Sequence, residues 1–182
     1  MLQKYDIFKG VSKWKVLQPF FIDPHRDNVG LRELSRLVGL STPSTKLHLK
    51  RFVKEEILKT GSFRGMPAYR ANQSDERFRY LKKMNTFNLL HTSGLIHYIF
   101  DHCQPNVIIL FGSASRGEDT KDSDIDLYVE CQEQPLDLIL FENKLKRKIQ
   151  LHFYDSFNKV HSKELKNNIV NGILLDGYLK VF

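Results

Sequence analysis

The sequence predicts an α+β protein made of two unlike parts. Residues 1–72 have the periodicity of consecutive helices followed by a short hairpin, and residues 105–182 that of a small mixed sheet with covering helices. The charge divides in the same way: residues 1–83 carry 18 Lys and Arg against 8 Asp and Glu, whereas residues 84–182 carry 10 against 13. We therefore expect two domains with these bounds, joined by a helical connector at residues 73–104.

The composition narrows the class of protein. At 182 residues with 41% hydrophobic residues, the chain is long enough for one large core or two small ones. No stretch approaches the roughly 20 apolar residues of a membrane span, and Met1–Asp6 has no apolar signal core. Cys103 and Cys131 are far apart in the sequence and do not make a disulfide framework. We expect a cytoplasmic protein without a membrane partner.

Two helices open the chain and a third follows a tight turn. Apolar residues predict a helix over Val11–Ile22, and leucines at helical spacing predict another over Leu31–Val38. Gly39 marks the turn. Ser41 or Thr42 caps the third helix, with Pro43 at its first position.

The third helix is predicted to have one apolar and one cationic side. Thr45, Leu49, Phe52 and Val53 fall on the first side. The opposite side carries Ser44, Lys46, Leu47, Lys50, Arg51 and Lys54. Such a face suits a helix that lies in the major groove of DNA between phosphates. The alternative is a lysine face that contacts only solvent.

A basic hairpin follows the helices. We predict strands at Ile57–Lys59 and Met66–Arg70, a turn at Thr60–Ser62, and Arg64 near the tip. This order of elements resembles the winged helix-turn-helix fold of prokaryotic regulators over about residues 8–72. The resemblance implies a DNA-binding domain in which Ser44, Lys46, Leu47, Lys50 and Arg51 lie toward bases or phosphates and Arg64 reaches the backbone or minor groove.

The connector is predicted as two helices. The first runs from Asn72 through Leu90, and the second spans Leu95–Cys103. The apolar stripe of the first suits packing on either domain or on a second copy of the chain, and we expect a homodimer. His91, His97 and His102 lack the spacing of a zinc site.

The second domain contains the motif most informative about chemistry. An apolar strand, Val107–Phe111, leads into Gly112 and Ser113, and ten residues later Asp124 and Asp126 occur two apart at the start of another strand. Both carboxylates then project from one face. Paired hard oxygen ligands suit Mg²⁺, and a glycine and a serine hydroxyl at a helix start favour phosphate.

These residues resemble the signature of the polymerase-beta-like nucleotidyltransferase superfamily, especially its minimal single-domain branch. The resemblance implies that Gly112 and Ser113 bind the triphosphate of an NTP, with Ser123 also in the nucleotide-binding set. It implies that Asp124 and Asp126 hold Mg²⁺ or Mn²⁺ as catalytic residues. The resemblance also implies that Arg116 steadies the turn or a phosphate.

The family usually has a third carboxylate on the next strand, here Ile149–Tyr154. By alternation that position falls on Gln150, whose neutral amide is a weaker metal ligand and does not take a proton. His152 lies on the same face and is an alternative base. A helix over Leu136–Leu145 supplies the crossover, and one or two helices after Ser162, with a break at Gly172, are predicted to cover the sheet.

Two functions remain open. In the first, the chain is a DNA-binding protein whose second domain transfers a nucleoside monophosphate from an NTP, expected to be ATP, to an acceptor hydroxyl. Relatives of the minimal branch modify a partner protein or an antibiotic, so a protein acceptor is one option. In the second, it is a transcriptional regulator whose nucleotidyltransferase-like domain senses nucleotide or is inactive, because of Gln150.

Overall fold

The computed structural model describes residues 8–182. The first seven residues of the predicted domain 1–72, including the stretch Met1–Asp6 that was expected to lack a signal core, lie outside the described residues. The described chain divides between Lys82 and Lys83 into two compact units, here called the N-terminal unit and the C-terminal unit. The division falls inside a helix, within the predicted connector 73–104.

The N-terminal unit consists of three helices and a small antiparallel sheet. The helices are α1 (Ser12–Ile22), α2 (Leu31–Val38) and α3 (Thr42–Lys54). The strands are β1 (Val29–Gly30), β2 (Leu58–Phe63) and β3 (Met66–Ala71), in the order β1-β3-β2. The core is built from large side chains of these elements: Trp14, Val16, Leu17, Phe20, Phe21, Leu34, Leu49, Phe52, Ile57 and Leu58.

The predicted helices of this unit are confirmed, with the end signals that the sequence indicates. Gly39 ends α2 with φ +67°, a conformation that favours glycine. The Ser41 hydroxyl accepts a hydrogen bond from Ser44 N over 3.4 Å and caps α3. Thr45 and Leu49 are fully buried, so the apolar side of α3 faces the core as predicted.

The hairpin turn lies three residues later than predicted. Gly61 pairs with Ala68 inside the ladder, and the two-residue turn is Arg64–Gly65. Both turn residues have positive φ, +52° and +74°, as the hairpin turn that matches strand twist requires. The prediction at Thr60–Ser62 was wrong because it followed the first glycine, and β1, which pairs with β3, was not predicted.

Two helices follow the hairpin, as predicted: α4 (Glu76–Ser93) and α5 (Leu95–Cys103). The backbone amides of Arg77 and Phe78 donate hydrogen bonds to the carboxylate of Asp75, which satisfies amides at the start of α4. Gly94, with φ +88°, separates the two helices. Within residues 8–182, no helix combines the length and the apolar character that crossing a bilayer requires.

The C-terminal unit contains a four-stranded mixed sheet, in agreement with the predicted α+β class. Its strands are β4 (Val107–Phe111), β5 (Ile125–Glu130), β6 (Ile149–Tyr154) and β7 (Ile173–Gly177), in the order β6-β5-β4-β7. β5 and β6 are parallel and joined by the predicted crossover helix, α7 (Ile139–Leu145), whereas β4 is antiparallel to both neighbours.

The two faces of this sheet pack against different parts of the C-terminal unit. One face packs with α5 and α7 into a core that includes Leu95, Ile99, Ile125, Leu127, Val129, Phe141 and Ile149. The other face carries Phe111 and Tyr128 and is partly covered by Phe157, Val160 and Ile169. The polar residues of β5 and β6 lie on this second face, as strand alternation predicts.

The tail differs from its prediction. Only α8 (Lys163–Val170) is helical after Ser162, and the apolar run beyond Gly172 forms strand β7 at the sheet edge. α8 ends at Val170, two residues before the break predicted at Gly172. A Cβ at Gly172 would lie 2.6 Å from both Ile109 Cγ2 and Leu110 O, so glycine fits best beside β4. The open edge of β4 thus overrides the helical spacing of the tail, an example of tertiary pairing that local periodicity does not reveal.

Candidate active site

Gly112 brings the backbone at the end of β4 close to the side chain of Asp126. Gly112 follows β4 and begins α6 (Gly112–Arg116) with φ +72°. A Cβ at this position would lie 2.6 Å from Asp126 Oδ2, closer than any side chain tolerates without movement. The missing side chain therefore leaves the room into which the Asp126 carboxylate extends.

Asp126 owes its position to strand register. It pairs with Phe111 of β4 on one side and with Gln150 of β6 on the other. Its two neighbours in β5, Ile125 and Leu127, are buried in the core on the opposite face. Burial of these two side chains directs the half-buried Asp126 to the same face as Gln150.

Asp124 lies one residue before β5, so it is on the loop that enters the strand and not within it. Arg147 holds this loop. Its guanidinium donates hydrogen bonds of 2.7 Å to the carbonyls of Ser123 and Asp124, and it forms an ion pair with the buried Asp119. The backbone that carries Asp124 is thereby fixed from behind by a side chain that is itself only 12% exposed.

Sequence reasoning missed the role of Arg147 and Asp119. The only signal was the basic stretch Lys146–Lys148 before β6, which by itself is typical of a solvated turn. The Ser123 hydroxyl, expected to contact nucleotide, accepts a hydrogen bond of 2.9 Å from Thr120 N and closes the same loop. The Arg147 contacts and the Ser123 hydrogen bond both help to fix the loop that carries Asp124.

Gln150 contacts the first acid directly. Its Nε2 donates a hydrogen bond to Asp124 Oδ2 over 2.5 Å, and its side chain is exposed. An amide stands here beside both aspartates, at the position where the resemblance implies a third carboxylate. The amide donates to the carboxylate and adds no negative charge to the site.

His152 lies next to the second acid. Its Nε2 is 3.5 Å from Asp126 Oδ1, and its ring meets the Phe111 ring edge-on with centroids 5.0 Å apart. Within the described residues, Nε2 is buried and has no hydrogen-bond partner. The face that carries Asp126 thus also presents an imidazole, as alternation along β6 predicts.

Deeper along the same face the side chains are structural. Tyr128 is fully buried and donates a hydrogen bond of 2.7 Å to Glu130 Oε2. Burial, together with this hydrogen bond and the charge of Glu130, raises the pKa of Tyr128 far above its ordinary value. The Tyr128 hydroxyl therefore stays protonated and donates to Glu130, so it does not exchange protons near neutral pH.

The remaining predicted residues surround the corner. Ser113 is half-buried in the first turn of α6, and Ser115 is turned inward, with its hydroxyl donating to Gly112 O over 2.8 Å. Arg116 is about half exposed, and its Nε donates to Glu118 Oε2 over 2.8 Å. The Arg116–Glu118 pair lies at the turn that follows α6.

Asp124 and Asp126 provide some, but not all, of the oxygen ligands that a hard cation such as Mg²⁺ requires. Within residues 8–182, no group of three or more His, Cys, Asp and Glu side chains gathers in a way that would hold a metal ion alone. Asp124 and Asp126 nonetheless offer carboxylate oxygens on one side of the sheet. A Mg²⁺ ion bound there would complete its shell with water and with phosphate oxygens of a nucleotide, its usual mode of binding.

The basic face of α3 belongs to the N-terminal unit. Lys46, Leu47, Lys50 and Arg51 are exposed, and Ser44 is half-buried near the first turn. Leu47 is 67% exposed although it is apolar. Arg64 is exposed at the hairpin tip, and Arg51 donates to Glu55 on its own helix over 2.8 Å.

Comparison with known proteins bears on the C-terminal unit. Residues 94–177 match the family model described as polymerase beta, nucleotidyltransferase. The match starts directly before α5 and ends with β7, so it includes the whole mixed sheet and the corner at Gly112. It supports a nucleotidyltransferase domain of the polymerase beta kind, which implies a nucleotide substrate. No curated protein matches the chain.

Proposed function

We propose that the C-terminal unit binds a magnesium-chelated NTP and transfers its nucleoside monophosphate to an acceptor hydroxyl. The observation that carries this proposal is the close approach of Gly112 to Asp126 at the end of β4, within the segment that matches the nucleotidyltransferase family. Gly112 and Ser113 hold the triphosphate, and Asp124 and Asp126 are the ligands for Mg²⁺ or Mn²⁺. Arg116 and Ser123 support this set by ordering the turns around it.

The reaction is a substitution at the α-phosphorus. The acceptor oxygen forms a bond to this phosphorus, the bond to the bridging oxygen of the β-phosphate breaks, and pyrophosphate leaves while the hydroxyl proton passes to solvent. The metal would neutralise charge on the phosphates. The protein contributes by positioning: Arg147 holds the loop of Asp124, and the register of β5 directs Asp126 toward the corner.

Radiolabelled ATP tests this proposal. The purified chain is incubated with label in the α-phosphate, Mg²⁺ or Mn²⁺ and candidate protein or small hydroxyl acceptors. Transfer is expected from wild type and is expected to disappear in Asp124→Asn. Asp122→Asn is the matched control, since Asp122 is an exposed acid on the same loop. Absence of transfer with each nucleoside triphosphate and either metal would contradict the proposal.

We propose a second candidate, a nucleotide sensor that no longer transfers anything, because Gln150 donates to Asp124. An amide in this position leaves nucleotide binding possible but weakens any second metal and provides no base. This candidate predicts that Mg-ATP binds, as measured by titration calorimetry, while the transfer assay stays negative. Turnover by wild type would exclude it.

We further propose that the N-terminal unit is a winged helix-turn-helix domain that binds DNA. Support comes from α2, the Gly39 turn and the capped α3, followed by a hairpin, and from the exposed cationic residues of α3. In this arrangement Ser44, Lys46, Leu47, Lys50 and Arg51 meet the major groove and Arg64 the backbone or minor groove.

A gel-shift series across salt concentrations tests DNA binding. Affinity for duplex DNA is expected to fall steeply with salt, because bound cations are released from the phosphates. Lys50→Ala should weaken binding, whereas Lys163→Ala removes the same charge from the C-terminal unit and should not. As a regulator the chain would act as a homodimer on a two-fold symmetric DNA site. Sedimentation measures whether the chain is a dimer. No shift at low salt would refute this part of the proposal.

A further inference from the structure

The β2–β3 hairpin extends as an exposed arm with an apolar tip. Every residue from Lys59 to Pro67 is exposed. At the end of the arm, Phe63 and Met66 are 47% and 70% exposed, although both are large and apolar. The pair gives the tip an apolar surface that solvent contacts in the isolated chain.

The two apolar side chains form one compact unit with the turn arginine. Phe63 and Met66 are directly paired across the strands, so both project from the same face of the hairpin. Arg64, the first turn residue, places its guanidinium carbon 5.2 Å from the centroid of the Phe63 ring. The tip therefore presents a cation and two apolar groups together.

Behind the tip, the arm is narrow. Gly61 pairs with Ala68 and Ser62 with Pro67, so two ladder rungs carry only small side chains. A stem without bulky groups enters a groove of about 6 Å, the width of the minor groove of B-DNA, more readily than an ordinary hairpin.

The base of the arm carries two adjacent positive charges, which an anion would stabilise. Lys59 and Arg70 are paired directly across the strands, and both are exposed. Like charges in this position repel each other. They lie on the same face as Phe63 and Met66, because alternate residues along a strand share a face.

We infer that the hairpin tip is a minor-groove wedge, in which Phe63 and Met66 partly insert between base pairs and kink the DNA while Lys59 and Arg70 contact the flanking phosphates. Phe and Met are among the side chains that architectural proteins use for such insertion, and Arg64 suits the negative potential of a narrow minor groove. The occupant is duplex DNA because residues 8–82 carry 16 Lys and Arg against 7 Asp and Glu. This inference rests on the proposed DNA binding.

Ligase-mediated circle formation tests the wedge without knowledge of a preferred sequence. A linear duplex of about 100 base pairs, shorter than the persistence length of DNA, closes into circles poorly unless a protein kinks it. Protein is added at a concentration that saturates the linear fragment in a gel shift. Wild type is expected to raise the circle yield by about tenfold.

The variants separate the wedge from binding itself. Phe63→Ala with Met66→Ala should return the circle yield to that of DNA alone, while affinity for the linear fragment falls by no more than about tenfold. Leu37→Ala, which removes an exposed leucine on α2, is the matched control and should behave as wild type. Because the exchanged side chains are exposed, the thermal unfolding midpoint should be unchanged, and circular dichroism checks this.

Each other outcome has a distinct meaning. Wild-type binding without extra circles, or circles that persist in the double variant, overturns the wedge and leaves DNA binding intact. A double variant that changes the oligomeric state in sedimentation while circle formation is unaffected shows that the tip contacts protein instead. If no gel shift occurs at low salt, the proposed DNA binding fails and the wedge fails with it.

Discussion

Gln150 Nε2 lies 2.5 Å from Asp124 Oδ2, and Gln150 also pairs in register with Asp126 on the neighbouring strand. One amide is therefore positioned beside both predicted metal ligands. Because this position holds a neutral amide and not a carboxylate, the corner carries less negative charge than a site with three acids would. It also identifies the residue whose exchange is most informative about the site.

Gln150→Glu should make stability dependent on divalent cation. Three adjacent carboxylates repel one another in the absence of a metal, so the unfolding free energy should fall by about 1 kcal/mol or more, and millimolar Mg²⁺ should restore it. Thermal unfolding with and without Mg²⁺ measures the effect. Gln132→Glu adds the same charge in an exposed loop and should show no such dependence. An identical response of both variants would argue against a cation site at the corner.

Gly112→Ala should disrupt nucleotide binding more than folding. The left-handed backbone costs an alanine about 1–2 kcal/mol, and its Cβ would displace the Asp126 carboxylate. We expect Mg-ATP affinity in titration calorimetry to fall by about tenfold or more. Gly39→Ala has the same backbone strain, since φ is +67°, with open space around the Cβ. It should lose stability but keep nucleotide affinity, and equal losses of affinity would contradict the assignment.

Arg147→Met should be strongly destabilising. It removes the guanidinium that pairs with the buried Asp119 and donates to two loop carbonyls. Removal of one partner from a buried ion pair costs about 3–5 kcal/mol, which urea unfolding followed by circular dichroism can measure. Lys148→Met removes the adjacent cation, whose side chain is 77% exposed in its ion pair with Glu142, and should shift the midpoint far less. Similar shifts in the two variants would show that Arg147 does not hold the loop.

Release of Arg51 should strengthen DNA binding. Arg51 donates to Glu55 over 2.8 Å, so in the free protein its charge is partly neutralised. Glu55→Gln should raise the affinity for duplex DNA by about two- to fivefold. In the same assay, Lys50→Ala should lower the slope of log affinity against log salt concentration by about one. Glu164→Gln makes the same change on α8 and should have no effect. A Glu55→Gln variant with unchanged affinity would place Arg51 away from the phosphates.

The two cysteines should react slowly with thiol reagents at neutral pH. Their side chains share a hydrogen bond, and burial raises the pKa of Cys103 and raises that of Cys131 to about 12. Because only the thiolate reacts, labelling of the folded protein by a chromogenic disulfide reagent should accelerate by about tenfold per pH unit above neutrality. The unfolded chain is the control and should react quickly. Fast labelling of the folded protein at neutral pH would show that the pKa values of the two thiols are not raised.

Much of the fold follows from local patterns. The bounds of α2 match Leu31–Val38. The strand before the Gly112 corner lies where an apolar run predicts it, and the strand after the corner lies where an apolar-polar alternation predicts it. The hairpin turn and the last strand were wrong for a common reason. A turn is chosen by the residue pair that accepts positive φ, and an edge strand by the partner that it meets, and neither is a property of a single stretch of sequence.

The chemical types at the corner, a glycine, a serine and two acids at a set spacing, were readable from the chain because each is local to one turn or one strand. Contacts across the fold were not. Arg147 reaches the loop of Asp124, Gln150 reaches Asp124 itself, and Cys103 meets Cys131, and in each pair the partners are far apart in sequence. Strand register and helix packing bring them together, since side-chain contacts depend on the folded positions of both backbones.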